Sequence, residues 1–121
     1  MTTTDTQTAP VNACDLTAIA PDELVGSIAL AKRLLFNESS ESHELPNGYA
    51  WRFTADQYDE LCQFIDYDRR CCPMYTHALE VTPGNGPIWL RVTTDSEELK
   101  AALLAEIAML KDEAERHHSA E

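Results

Sequence analysis

Cys71 and Cys72 stand side by side in the stretch DYDRRCCPMYTH, residues 66–77, with Pro73 directly after them. Vicinal thiols offer a soft cation two sulfur ligands at once. Thiolates and thioethers select ions such as copper(I) or zinc by softness and geometry, and the same softness extends to mercury and arsenic(III). A thiophilic ion brings its own positive charge and deprotonates its ligands directly, so such a site needs no pre-activated thiol. Candidate third ligands are Cys14, if the N-terminal segment folds back, and His77, five residues after Cys72, with Met74 as a weaker thioether. Asp68, one helical turn before Cys72, and Arg69 are placed to support the sulfurs as hydrogen-bond or charge partners.

Two other readings of the pair stand beside metal binding. In the first, the cysteines merely pack in an interaction or structural domain, and residues 68–70 are a solvated, charged helix end. In the second, the protein is a thiol-dependent redox enzyme. Reactive cysteines favour helix N-termini, where the dipole stabilises thiolate, whereas this pair is expected at a helix C-terminus. Adjacent cysteines also lack the C-x-x-C spacing of dithiol oxidoreductases, so redox catalysis ranks last. Cys62 falls in an apolar helical stripe and is expected to be a small buried hydrophobe. Ten residues separate it from Cys72, about 15 Å of helix. A metal–sulfur bond is about 2.3 Å, so one ion cannot join the two.

The elements that position the pair follow from local pattern. Pro21, Asp22 and Glu23 open a first helix, with Leu24, Ile28, Ala31 and Leu35 at helical spacing to about Phe36. After the polar NESSESH, a turn at Pro46-Asn47-Gly48 leads to a strand with Tyr49, Trp51 and Phe53 on one face. A short hairpin partner is expected around His43–Leu45. Thr54 and Gln57 form a capping-box pattern for a second helix, whose stripe reads Tyr58, Leu61, Cys62 and Ile65. Pro73 pushes Cys72 out of helical conformation and ends that helix at the cysteines. A hairpin follows, Leu79 and Val81 answered by Ile88, Leu90 and Val92 across a Pro83–Pro87 turn. Asp95 and Glu98 are read as the cap of a third helix, buried along Leu99, Ala102, Leu103, Ile107 and Leu110.

Helix, strand, helix, hairpin, helix predicts an α+β fold, a small antiparallel sheet with helices packed on one face. The predicted organisation is a disordered leader over residues 1–12, one domain over 13–112 and a frayed charged tail over 113–121. Twenty-one acidic and nine basic residues give a net charge of −12. Such a surface repels phosphate backbones, which excludes nucleic acid as a partner. No apolar run approaches the roughly 18 residues of a membrane span. MTTTDTQTAP carries no secretory pattern, so a cytoplasmic location with reduced thiols is expected.

HELPNGYAWRF, DYDRRCCPMYTHALEV and GNGPIWLRVT together resemble a largely uncharacterised family of small, stand-alone bacterial proteins. That family carries E-L-x-D/N-G-Y-A-x-R-F, then E-R-x-C-C-P-F-x-x-F-x-L, then G-P-x-x-L-R-x-T, often after a Cys-x-Leu element that Cys14-Asp15-Leu16 matches. The resemblance covers about residues 13–110 and is most specific at the double cysteine. It implies a shared fold and cysteine site, with Asp68, Arg69, Cys71, Cys72 and Pro73 as motif positions. Asp68 replaces Glu, Met74 replaces Phe, and His77 stands where the pattern has Phe. The resemblance therefore favours Cys14 over His77 as third ligand. The expectation is a small soft-metal or metalloid-binding protein that sequesters or hands over its ion rather than turning over a substrate.

Overall fold

The computed structural model of the chain describes residues 15–120. The expected leader and Cys14 lie outside the described residues.

Four strands form an antiparallel sheet, β1 (Glu41–Leu45), β2 (Gly48–Phe53), β3 (Thr76–Val81) and β4 (Ile88–Thr93), in the order β1-β2-β4-β3. Two local hairpins, β1–β2 and β3–β4, join where β2 pairs with β4. Register decides which side chains face the core. Tyr49, Trp51 and Phe53 lie opposite Val92, Leu90 and Ile88, and these in turn oppose His77, Leu79 and Val81 of β3. Directly paired residues share a face. One face therefore collects Trp51, Phe53, Ile88, Leu90 and Val92, all buried in a single core with Leu34, Leu61, Phe64 and Leu103 of the helices. Each such side chain contributes roughly 1.5–3 kcal/mol on burial.

The β2–β4 seam leaves no space at Gly48. A Cβ built there would stand 2.0 Å from the Val92 carbonyl oxygen and 2.8 Å from the Thr93 Cα. Both are backbone atoms of the central strand and cannot swing aside. Gly48→Ala is expected to cost about 3 kcal/mol, the upper end for overpacking. Equilibrium denaturation checks this, and an unchanged midpoint would contradict it.

Helix α1 (Pro21–Lys32) begins on proline with Asp22 and Glu23 in its first turn, and continues through a π-helical turn, Arg33–Glu38. The wider turn ends where the Ser39 N–H donates to the Leu34 carbonyl at 3.0 Å, and it turns both Leu34 and Leu35 inward. The core side of this helix is Ser27, Leu30 and Leu34; the predicted stripe at Leu24, Ile28 and Ala31 is only half-buried. Arg33 bridges Glu38 at 2.6 Å and Glu60 at 2.7 Å, fastening α1 to the next helix.

The Thr54 N–H donates to Gln57 Oε1 at 3.0 Å, closing the expected capping box on a 3₁₀ turn that leads into α2 (Tyr58–Cys71). The stripe of α2 differs from expectation. Leu61, Phe64 and Cys71 are buried, whereas Tyr58 and Cys62 are exposed. The inward face is centred on 61, 64, 68 and 71, which rotates Cys62 out to solvent. Helix α3 (Glu97–Ala120) also departs from the sequence reading. Its first turn is capped by Ser96, whose Oγ accepts the Leu99 N–H at 3.2 Å, in place of Asp95. It runs through the segment expected to fray, where Arg116 pairs with Asp112 and Lys32 of α1 reaches Glu113 at 3.0 Å.

Candidate functional site

Local chemistry ends α2 at the cysteines. With Pro73 next, Cys72 takes φ −129° and ψ 67°, outside the helical region, yet its N–H still donates to the Asp68 carbonyl at 2.7 Å. Cys71 is the last helical residue. This half-finished turn brings the two sulfurs to 3.5 Å, with Cys71 8% and Cys72 1% exposed. One carboxylate oxygen of Asp68 and the two sulfurs lie within 4.8 Å of one another, a cluster able to hold a metal ion. Cys72 is disulfide-bonded, whereas Cys71 and Cys62 are free thiols. The Cys71 S–H is therefore the donor in the sulfur–sulfur contact. The reduced state expected from the sequence is thus not the state of Cys72.

The other predicted site residues separate. His77 is turned to the helix-covered side of the sheet by its register opposite Val92. Its ring, 5% exposed, lies 2.7 Å through Nε2 from Asp68 Oδ2 and edge-on to Phe64. A carboxylate only accepts, so Nε2 carries the hydrogen. His77 is a partner of Asp68 and lies outside the cluster of Asp68 and the sulfurs. Met74 packs against the core and lines a different cavity, of about 430 Å³, beside Asn47 and Thr94. Arg69 is exposed, and Arg70 pairs with Asp66 at 3.1 Å. Cys62 is excluded from the cluster, but as an exposed thiol rather than a buried one. The Asp15 N–H donates to the Cys71 carbonyl at 2.6 Å, so the chain next to Cys14 in sequence crosses the end of α2.

Sequence reasoning missed what lies beside the cysteines. A cavity of about 590 Å³ opens between α1, α2 and α3. Its apolar walls include Leu24, Ile28, Phe64, Ala102 and Leu110, and Asp68, Cys71, Tyr75 and Glu106 also line it. The signal for Glu106 was present: it falls between Ala102–Leu103 and Leu110 on the apolar stripe of α3, where a carboxylate is out of place. The half-buried Leu24, Ile28 and Ala31 are the corresponding signal on α1, an apolar stripe turned to the cavity.

Burial dominates the electrostatics. It pushes the Glu106 carboxyl up to about 7, with Asp68 adding like-charge repulsion. It pushes the Cys71 thiol up to about 11, reinforced by Asp68 and Glu106. Tyr75 rises to about 12 for the same reasons. At neutral pH Cys71 is a protonated thiol and a poor nucleophile, the opposite of what thiol catalysis needs. Relative to a thiol at the ordinary 9.0, a value of about 11 means about a hundredfold less thiolate. In the native protein at pH 8, Cys71 is expected to react with iodoacetamide about a hundredfold more slowly than an unburied cysteine. Peptide mapping against time checks this; equal labelling of Cys62 and Cys71 would contradict it.

Compared with models of protein families, with curated proteins and with solved structures, the chain matches none.

Proposed function

We propose that the protein binds one soft metal or metalloid ion, copper(I), zinc, mercury or arsenic(III), through Cys71 and Cys72 in their reduced form, with Cys14 as third thiolate. The observation that carries this reading is the convergence of Asp68 and the two sulfurs within 4.8 Å at the end of α2. The Asp15–Cys71 backbone hydrogen bond supports the choice of Cys14, the neighbour of Asp15 in sequence. Asp68, oriented by His77, is the carboxylate beside the ligands that supports their placement. The protonated Cys71 thiol suits capture by an ion that displaces its proton, and the role is sequestration or hand-over in a reducing compartment such as the cytoplasm. Titration of the reduced protein with Hg(II) or arsenite tests it. Thiolate-to-metal charge-transfer absorbance should saturate near one ion per chain, with Cys71 and Cys72 protected from alkylation. No new absorbance together with no protection would remove the reading.

A second reading is favoured by one observation, the disulfide at nearly inaccessible Cys72: the cysteines staple an interaction or structural domain. It predicts that Cys72→Ser lowers stability by about 2–5 kcal/mol, while the reduced wild type leaves the metal absorbance flat.

A further inference from the structure

A bare ion needs only a coordination sphere, with metal–sulfur bonds of about 2.3 Å. Cys71 instead borders a cavity of about 590 Å³, lined mostly by aliphatic and aromatic residues of three helices, with the carboxylates Asp68, Glu106 and Glu113 among them. That is the size and character of a small-molecule chamber. Apolar walls give a hydrated ion nothing, yet they favour a hydrocarbon group by roughly 0.8 kcal/mol per methylene buried. Thiol and apolar chamber together select a ligand with one soft, thiophilic atom and one hydrophobic substituent.

We propose that the interhelical cavity is the substituent pocket of the thiol site, and that its ligands are monoaryl or monoalkyl derivatives of thiophilic metals or metalloids. This rests on the soft-ion reading of Cys71 and Cys72 above. The soft atom, M, bonds to sulfur, and its organic group R lies against Ile28, Phe64 and Ala102. Capture is a ligand exchange without redox change. R–M–X and the Cys71 thiol give R–M–S–Cys71 with loss of X⁻ and H⁺; the S–H and M–X bonds break, the M–S bond forms, and water takes the proton.

The experiment compares phenylmercury(II), methylmercury(II) and inorganic Hg(II) on the full, reduced chain, in competition with glutathione to normalise intrinsic thiol affinity. The wild type should prefer phenyl- over methylmercury by about tenfold or more beyond glutathione's own preference. Ala102→Phe, which fills the cavity, should abolish that preference and keep inorganic Hg(II) stoichiometry at one, the retained stoichiometry also showing an intact fold. Equal wild-type affinity for the two organomercurials, or a preference surviving in Ala102→Phe, overturns the proposal. So does displacement of phenylmercury by metal-free benzene derivatives alone, which would make the chamber independent of the thiol. Failure to bind inorganic Hg(II) at all instead overturns the soft-ion reading on which this one stands. Should Ala102→Phe lose its fold, the wild-type phenyl-to-methyl ratio still decides.

Discussion

Protein prepared under oxidising conditions is expected to bind Hg(II) about 100-fold or more less tightly than the same protein after reduction. The reason lies in Cys72, whose sulfur is held in a disulfide and has no lone thiolate to give an ion. Structural zinc sites gain about 10–16 kcal/mol, shared among four ligands, or about 3 kcal/mol for each. Since 1.4 kcal/mol is tenfold, loss of one sulfur ligand is worth about two orders of magnitude. Cys72→Ser should therefore cost about 100-fold in a reducing buffer, a loss that the oxidised protein equals or exceeds, and Cys71→Ser should be at least as damaging. Because Cys62 and Cys71 are free, peptide mapping of the oxidised chain after unfolding should recover both as alkylated thiols and Cys72 as protected. Competition titrations at controlled redox potential measure the first effect. Identical affinities for oxidised and reduced protein would show that Cys72 is no ligand.

Glu106→Gln should stabilise the protein by about 3 kcal/mol at pH 8 and hardly at all at pH 4. Its folded-state value of about 7 lies above the ordinary 4.5 because burial, then Asp68, penalises the charged form. Between those two values the folded chain keeps a proton that the unfolded chain has released. Stability is therefore lost as pH rises from about 4.5 to about 7, and the full penalty persists above. A difference of about 2.5 units at 1.36 kcal/mol each gives the quoted size. Glutamine keeps the shape and removes the ionisation, so the wild-type and variant curves should converge in acid and separate above neutrality. Urea denaturation across this range decides it, and a pH-independent offset between the two proteins would refute the assignment. Cys71, raised from 9.0 to about 11, works in the same direction but only above pH 9, outside that window.

Much of this architecture is legible in the chain because its signals are local. Pro73 announces the end of α2, Thr54 and Gln57 announce its beginning, and the alternation from Tyr49 to Phe53 and from Ile88 to Val92 fixes which face of the sheet is buried. Cys62 shows where local pattern fails. A stripe of 58, 61, 62 and 65 and one of 61, 64, 68 and 71 differ by less than a third of a helical turn, and the winner is set by what the sheet and α1 present to α2. The site was legible only in part for the same reason. The nearness of Cys71 and Cys72 is covalent, and the approach of Asp68 is one turn of helix. The pairing of Asp68 with His77 depends on the register of β3 against β4. The cavity depends on three helices distant in sequence, which bring Leu24 and Ile28, Phe64 and Ala102 to one chamber. Glu106, a charge on an apolar stripe, and the α1 stripe of Leu24, Ile28 and Ala31 carried a trace of it in the sequence.

The order β1-β2-β4-β3 makes the end of α2 a point that the two hairpins share. Each hairpin closes over a short turn, whereas the join of β2 to β4 spans the α2 segment, which ends in Cys71 and Cys72. Long-range strand pairing of this kind is the slow step in small mixed domains. A ligand held at the end of α2 as proposed would bind the joined form in preference to the two loose hairpins. By mass action it would act as a clasp on that seam, shifting the equilibrium toward its closed form.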